Sequence, residues 1–112
     1  VLLEIPKDIK SLLDYSNTES STIDFFVFHQ ANSYMNNYLA KKLKLDASKV
    51  PTCIEKFGNT SSVSIPLTIV SELQNNLTGN KKMLLSGFGV GMSWASAIIN
   101  TSNCHVSDLV EI

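Results

Sequence analysis

Apolar residues recur along this chain at two different spacings, and the alternation between them predicts its elements. Ile9, Leu12 and Leu13 follow Pro6-Lys7-Asp8 at helical intervals. This predicts a short helix with Pro6 in its first turn, where the missing N–H is harmless. The polar stretch from Ser16 to Thr22 should end it. Ile23 to Phe28 reads Ile-Asp-Phe-Phe-Val-Phe, short, β-branched or aromatic and almost wholly apolar, which suits a strand covered on both faces. His29 stands at its carboxyl end. From Ala31 the period becomes helical again through Met35, Tyr38, Leu39, Lys42 and Leu43. Asn32 lies near the start, and Lys41, Lys42 and Lys44 lie near the end, where cations complement the helix dipole.

Val50 to Ile54 is expected as a short strand, with Pro51 confining it to an edge or a strand start. After a turn at Gly58, Val63, Leu67, Val70, Leu73 and Leu77 define a further helix, with Thr60, Ser61 or Ser62 as its cap and Gly79 as its stop. Pro66 is tolerated if that helix begins near Ser62 or later. Met83 to Ser86 reads as a buried strand leading into Gly87-Phe88-Gly89-Val90-Gly91, and Met92 to Ile99 as the strand that returns from it. No repeat, low-complexity tract or linker interrupts the series, so one α/β unit is expected.

Composition narrows the class. A chain of 112 residues, 44% hydrophobic, can bury one core. Nine basic against ten acidic residues leave a formal charge of −1. That supplies no broad attraction for nucleic acid or an anionic membrane. The apolar runs fall well short of the roughly twenty residues of a membrane span, no basic-then-apolar leader opens the chain, and a cytoplasmic protein is expected. Cys53 and Cys104 stand 51 positions apart with no second thiol nearby, so neither a redox pair nor a zinc knuckle is drawn. The sequons at Asn59, Asn76 and Asn100 fit chance in a chain rich in Asn, Ser and Thr. Val1 is not an initiator Met, and the apolar opening suggests a chain cut from a longer one.

Candidate chemistry collects at three places. The glycine-rich run follows a strand, as a dinucleotide-binding loop would, but Gly87, Gly89 and Gly91 are spaced G-x-G-x-G. The 21 residues after them are too few for the helix and strand of a βαβ unit. A tight hairpin between two buried strands is the better reading. No G-x-S-x-G elbow is present, and His29 with His105 has no convincing metal-ligand spacing. His29 occupies the strand end where α/β proteins place ligands, although a lone His there also fits a satisfied structural role. Asn59 precedes a helix, where an Asx turn or N-cap is the ordinary use of Asn.

Taken together these segments say more. His29-Gln30-Ala31-Asn32, then Gly58-Asn59-Thr60-Ser61 with Asn59 thirty positions after that His, then Gly87-Phe88-Gly89-Val90-Gly91-Met92-Ser93-Trp94 resemble, in order and spacing, the C-terminal part of the β-ketoacyl-acyl-carrier-protein synthase III family. The resemblance runs from about Ile5 to Ile99. It implies a mixed sheet of three or four strands with helices packed on it, forming most of the C-terminal half of a thiolase-like fold.

Members of this family join a primed acyl group to a malonyl thioester by decarboxylative Claisen condensation in fatty acid biosynthesis, using a Cys nucleophile, a His and an Asn. The positions matching the last two are His29 and Asn59. Loss of carbon dioxide leaves an enolate on the thioester oxygen, and two preorganised N–H donors stabilise that charge. By the same resemblance the Val90 backbone amide belongs to the oxyanion hole of the acyl-enzyme, at a position where the family commonly carries a smaller residue. Phe88 lines the site. Lys41 and Lys42 match basic positions that dock the acidic carrier protein, with Tyr34 replacing a basic residue often found on the same face. A solvated helix end is the competing account of those lysines. The implied partners are acyl carrier protein or coenzyme A thioesters and a second copy of the full-length parent in a homodimer, with no cofactor, metal, nucleic acid or membrane. The family's nucleophilic Cys lies in a motif absent here, and neither Cys53 nor Cys104 takes its place, so the chain alone is expected to be inactive. Two further readings stay open: acyl transfer on the same fold without decarboxylation, and a non-catalytic partner subunit.

Overall fold

The computed structural model describes residues 2–89, 91 and 93–112. Helix α1 spans Glu4–Tyr15 and strand β1 spans Phe25–Phe28. They are followed by α2 over Ser33–Lys42, the single-turn α3 over Ile54–Phe57 and α4 over Ser64–Glu72. Two long strands, β2 over Lys82–Gly89 and β3 over Ser93–Asn100, complete the fold. The sheet order is β1-β2-β3, with β1 parallel to β2 and β2 antiparallel to β3. This is the mixed sheet expected from the sequence, with three strands.

Side-chain alternation along the strands divides the core between the two faces of the sheet. Phe26 and Phe28 of β1 and Leu84 and Phe88 of β2 join Ile5 and Ile9 of α1 and Leu39 of α2 in one cluster. Val27 and Met83 point the other way, into a second cluster with Leu73 and Leu77, against which Ile65 and Ile69 of α4 pack. The continuous apolar run of β1 is thus explained by burial on both sides. Strand β3 is less covered than expected. Ser93, Ala95 and Ala97 are exposed, while Trp94 and Ile98 lean on the first cluster.

Helix ends follow their local chemistry. Asn32 caps α2 by accepting the Met35 N–H at 2.8 Å. At the carboxyl ends of α1 and α2, Asn17 and Lys44 take positive φ. The Thr18 and Leu45 amides then return to the Leu13 and Ala40 carbonyls, closing each helix with the bond pattern usual for a left-handed cap. Pro6 and Pro66 each fall in the first turn of their helix.

Three expectations need correction. Val50 to Ile54 forms no strand: Pro51 offers no N–H, and the Cys53 amide donates to the Gln30 side chain rather than to a neighbouring strand. Helix α4 ends at Glu72, short of Gly79, because Asn75 and Asn76 favour turns over helix, yet Leu73 and Leu77 stay buried beyond it. The face α4 turns inward is also different. Ser64 and Thr68 are buried, whereas Val63 is half exposed, so the hydrophobic stripe drawn through Val63, Leu67 and Val70 is not the core face.

Candidate active site

The carboxyl end of β1 places His29. Its backbone N–H donates to the Ser86 carbonyl at 2.9 Å, extending the parallel ladder one residue past β1. Its ring Nδ1 lies 2.6 Å from Ser64 Oγ, at the start of α4. The ring also meets Phe88 edge to face, with centroids 5.5 Å apart and planes at 81°, a favoured aromatic arrangement. Burial holds the imidazole below its ordinary pKa, so at neutral pH the ring is uncharged and offers one N–H and one lone pair.

Asn59 arrives by a different route. Gly58 closes α3 with φ 69° and ψ −159°, a backbone conformation nearly restricted to glycine. The chain then folds so that the Asn59 side-chain oxygen accepts the Ser61 N–H at 2.9 Å. This is the Asx turn anticipated as its ordinary use. It also has a chemical result, because with the carboxamide oxygen engaged, the NH2 is the half of the side chain left for other partners.

Both side chains line one cavity of about 570 Å³ with Ser61, Ser62, Ser64, Ile65, Gly87, Phe88 and Gly89, a volume in the range of small-molecule sites. The three sequence segments singled out above therefore converge on a single space. A Cβ on Gly87 would meet the Ile65 side chain at 3.7 Å, an ordinary van der Waals contact, so Gly87 lines the cavity without space alone demanding glycine there. Phe88, buried, forms wall and ring contact at once. Val90 lies outside the described residues. Lys41 and Lys42 are exposed in the last turn of α2 and are not among the residues lining the cavity, and Tyr34 near its start is 70% exposed.

Neither thiol reaches this space. Cys53 is buried with Sγ 3.1 Å from Thr68 Oγ1, and exposed Cys104 lines a separate cavity with His105. Among the described residues no group of His, Cys, Asp and Glu could hold a metal ion. No helix among them is long and apolar enough to cross a membrane.

Two residues of the site escaped the sequence reading. Gln30, fully buried, donates to the Phe28 carbonyl at 2.8 Å and accepts from both Thr52 Oγ1 and the Cys53 amide. It thereby ties the end of β1 to the segment that leads into α3. Ser64 holds the imidazole. No local pattern marks either one: the partners of Gln30 arrive from Thr52 and Cys53, and a serine at a helix start reads as an ordinary cap.

The mixed sheet with helices on both faces is that of a thiolase-like α/β protein, as its likeness to solved synthases shows. The profile of the family described as 3-oxoacyl-[acyl-carrier-protein (ACP)] synthase III C terminal matches residues 13–101, and the chain belongs to that family. It is 37% identical over 100 residues to the β-ketoacyl-[acyl-carrier-protein] synthase III of Lactococcus lactis subsp. lactis strain IL1403, covering 87% of this chain and 31% of that protein. The crystal structure of a 3-oxoacyl-(acyl-carrier protein) synthase from Burkholderia xenovorans LB400 superposes with a TM-score of 0.90 at 42% identity, over 96% of this chain and 31% of that one. The synthase III of Pseudomonas aeruginosa PAO1 superposes with a TM-score of 0.81 at 30% identity, over 88% and 31%. The chain thus spans about a third of the length of these relatives.

Proposed function

We propose that this chain is the C-terminal domain of a condensing enzyme, a transferase that joins an acyl group to a malonyl thioester with loss of carbon dioxide. The observation that carries the reading is the convergence of His29 and Asn59 on one cavity, each with one polar atom already engaged. In the proposed step the bond between the malonyl α-carbon and its carboxylate breaks, carbon dioxide leaves, and the electron pair passes into an enolate on the thioester oxygen. The imidazole N–H and the Asn59 NH2 donate to that oxygen as its charge develops. The enolate carbon then attacks the acyl thioester carbonyl on a Cys supplied by another part of the full-length protein, and the Cys thiolate is released. Preorganisation favours this assignment, because both donors are held by the fold before any substrate arrives.

In the same reading the chain alone is inactive. The full-length protein works in the cytoplasm as a homodimer on acyl-carrier-protein or coenzyme A thioesters, and Lys41 and Lys42 form part of the surface that meets an acidic carrier. The test restores the upstream region of a full-length relative and measures carbon dioxide release from a malonyl thioester. His29→Ala is expected to slow release by about a hundredfold, the usual effect of losing one oxyanion donor. Release at the unsubstituted rate would reject the role given to His29. An acyl-enzyme that forms while no carbon dioxide appears would favour acyl transfer without decarboxylation.

A further inference from the structure

The function proposed for His29 requires an N–H aimed into the cavity, and an uncharged imidazole can carry its proton on either nitrogen. Resting on that reading, we infer that Ser64 is the positioning residue that keeps the proton on Nε2, by donating its own hydroxyl hydrogen to Nδ1.

The argument is a count of donors and acceptors around one buried oxygen. Ser64 is 1% exposed, so its hydroxyl has no access to bulk water and its hydrogen needs an acceptor within the protein. Two groups lie in range: the Gln30 backbone N–H at 3.2 Å and His29 Nδ1 at 2.6 Å. The amide can only donate, and it takes a lone pair of Oγ. The hydroxyl hydrogen therefore goes to Nδ1, which must then be the unprotonated nitrogen. The opposite tautomer would have Nδ1–H and Gln30 N–H both donating to Oγ, and would strand the hydroxyl hydrogen without an acceptor among the described residues. A serine in a helix can also turn its hydroxyl onto the carbonyl four residues back, but Ser64 makes no such bond to Thr60.

The surrounding bonds hold this arrangement in place. The His29 backbone is fixed on the sheet by Ser86, and the edge of one ring against the face of the other opposes rotation between His29 and Phe88. Ser64 is itself held from behind, because Thr68 Oγ1 donates to its carbonyl at 2.7 Å. With Nδ1 occupied, Nε2–H is the nitrogen left for the cavity, and it is the donor that the enolate needs.

The test reads the tautomer directly. In the ¹⁵N-labelled chain, at a pH well above the ordinary imidazole range, long-range ¹H–¹⁵N correlation spectra should show His29 as a single Nε2–H form. Its Nδ1 resonance should be displaced from the free-acceptor position by the accepted hydrogen bond. Exposed His105 serves as the internal reference, with the averaged pattern of an unconstrained ring. Ser64→Ala should abolish the Nδ1 displacement, and Ser64→Thr, which keeps the hydroxyl, should restore it. An Nδ1–H ring in the unsubstituted chain would overturn the inference, as would a His29 spectrum left unchanged by Ser64→Ala. If the alanine variant does not fold, the spectrum of the unsubstituted chain decides alone. Because this readout needs no substrate, it can fail or succeed separately from the His29→Ala assay of carbon dioxide release.

Discussion

At Asn59 one atom serves architecture and another is free for chemistry, and the two can be separated by a single substitution. In Asn59→Asp the carboxylate still accepts the Ser61 N–H, so the Asx turn at 2.9 Å survives and the denaturation midpoint should stay near that of the unsubstituted chain. The NH2 donor is gone and a negative charge stands in its place. On the function proposed above, carbon dioxide release by the full-length protein should therefore fall by about a hundredfold or more. Equal losses of stability and activity would mean that Asn59 is only a turn residue. His29 shows the complementary pattern. Burial lowers its pKa, which suits the uncharged hydrogen-bond donor proposed above. At this scale the sequence was partly legible. His29, Asn59 and Phe88 could be picked out by motif order, and all three line the cavity. Ser64 could not, because a serine at a helix start is ordinarily a cap, and its contact with a ring 35 positions earlier exists only after folding.

At the scale of elements, polar bonds rather than periodicity decided the points where expectation failed. The strand expected over Val50 to Ile54 is replaced by an irregular approach to α3, whose donors are collected by Gln30. Apolar content at Val50 and Ile54 gave no hint of this, since local pattern cannot register a side-chain acceptor arriving from β1. Helix α4 failed differently: its apolar positions surround it almost completely, so the inward face could be fixed only by its neighbours. Gln30→Ala should expose the importance of the tie. It leaves the Cys53 amide and the Phe28 carbonyl short of a partner in a buried setting, at a cost on the order of 3 kcal/mol. Urea denaturation should show that loss as a lower midpoint with little change in slope. A midpoint within error of the unsubstituted chain would show that water satisfies these groups.

For the molecule as a whole, the three strands of the sheet were the most readable feature. The apolar run of β1, the two long segments around the glycine-rich run, and helices α2 and α4 were visible as period and length, whereas the single-turn α3 was not. Their assembly into β1-β2-β3 explains why two of the three motifs, far apart in sequence, meet: β1 and β2 run parallel, so the His29 end and the Phe88 end of the two strands lie at the same edge. Strand β3, antiparallel to β2, runs back from that edge, where Gly89 at the end of β2 lines the cavity. The positive φ of Gly91 belongs to this reversal.

The two donors are anchored unequally, and heat should reveal it. His29 is an extension of the central ladder through its bond to Ser86, whereas Asn59 hangs on a glycine-dependent bend after a helix of a single turn. Deuterium should therefore enter the Ser61 amide through local opening, well before it enters the His29 amide, which waits on rupture of the sheet. On the function proposed above, heating the full-length protein should release Asn59 while the sheet stays folded, so inactivation should precede melting.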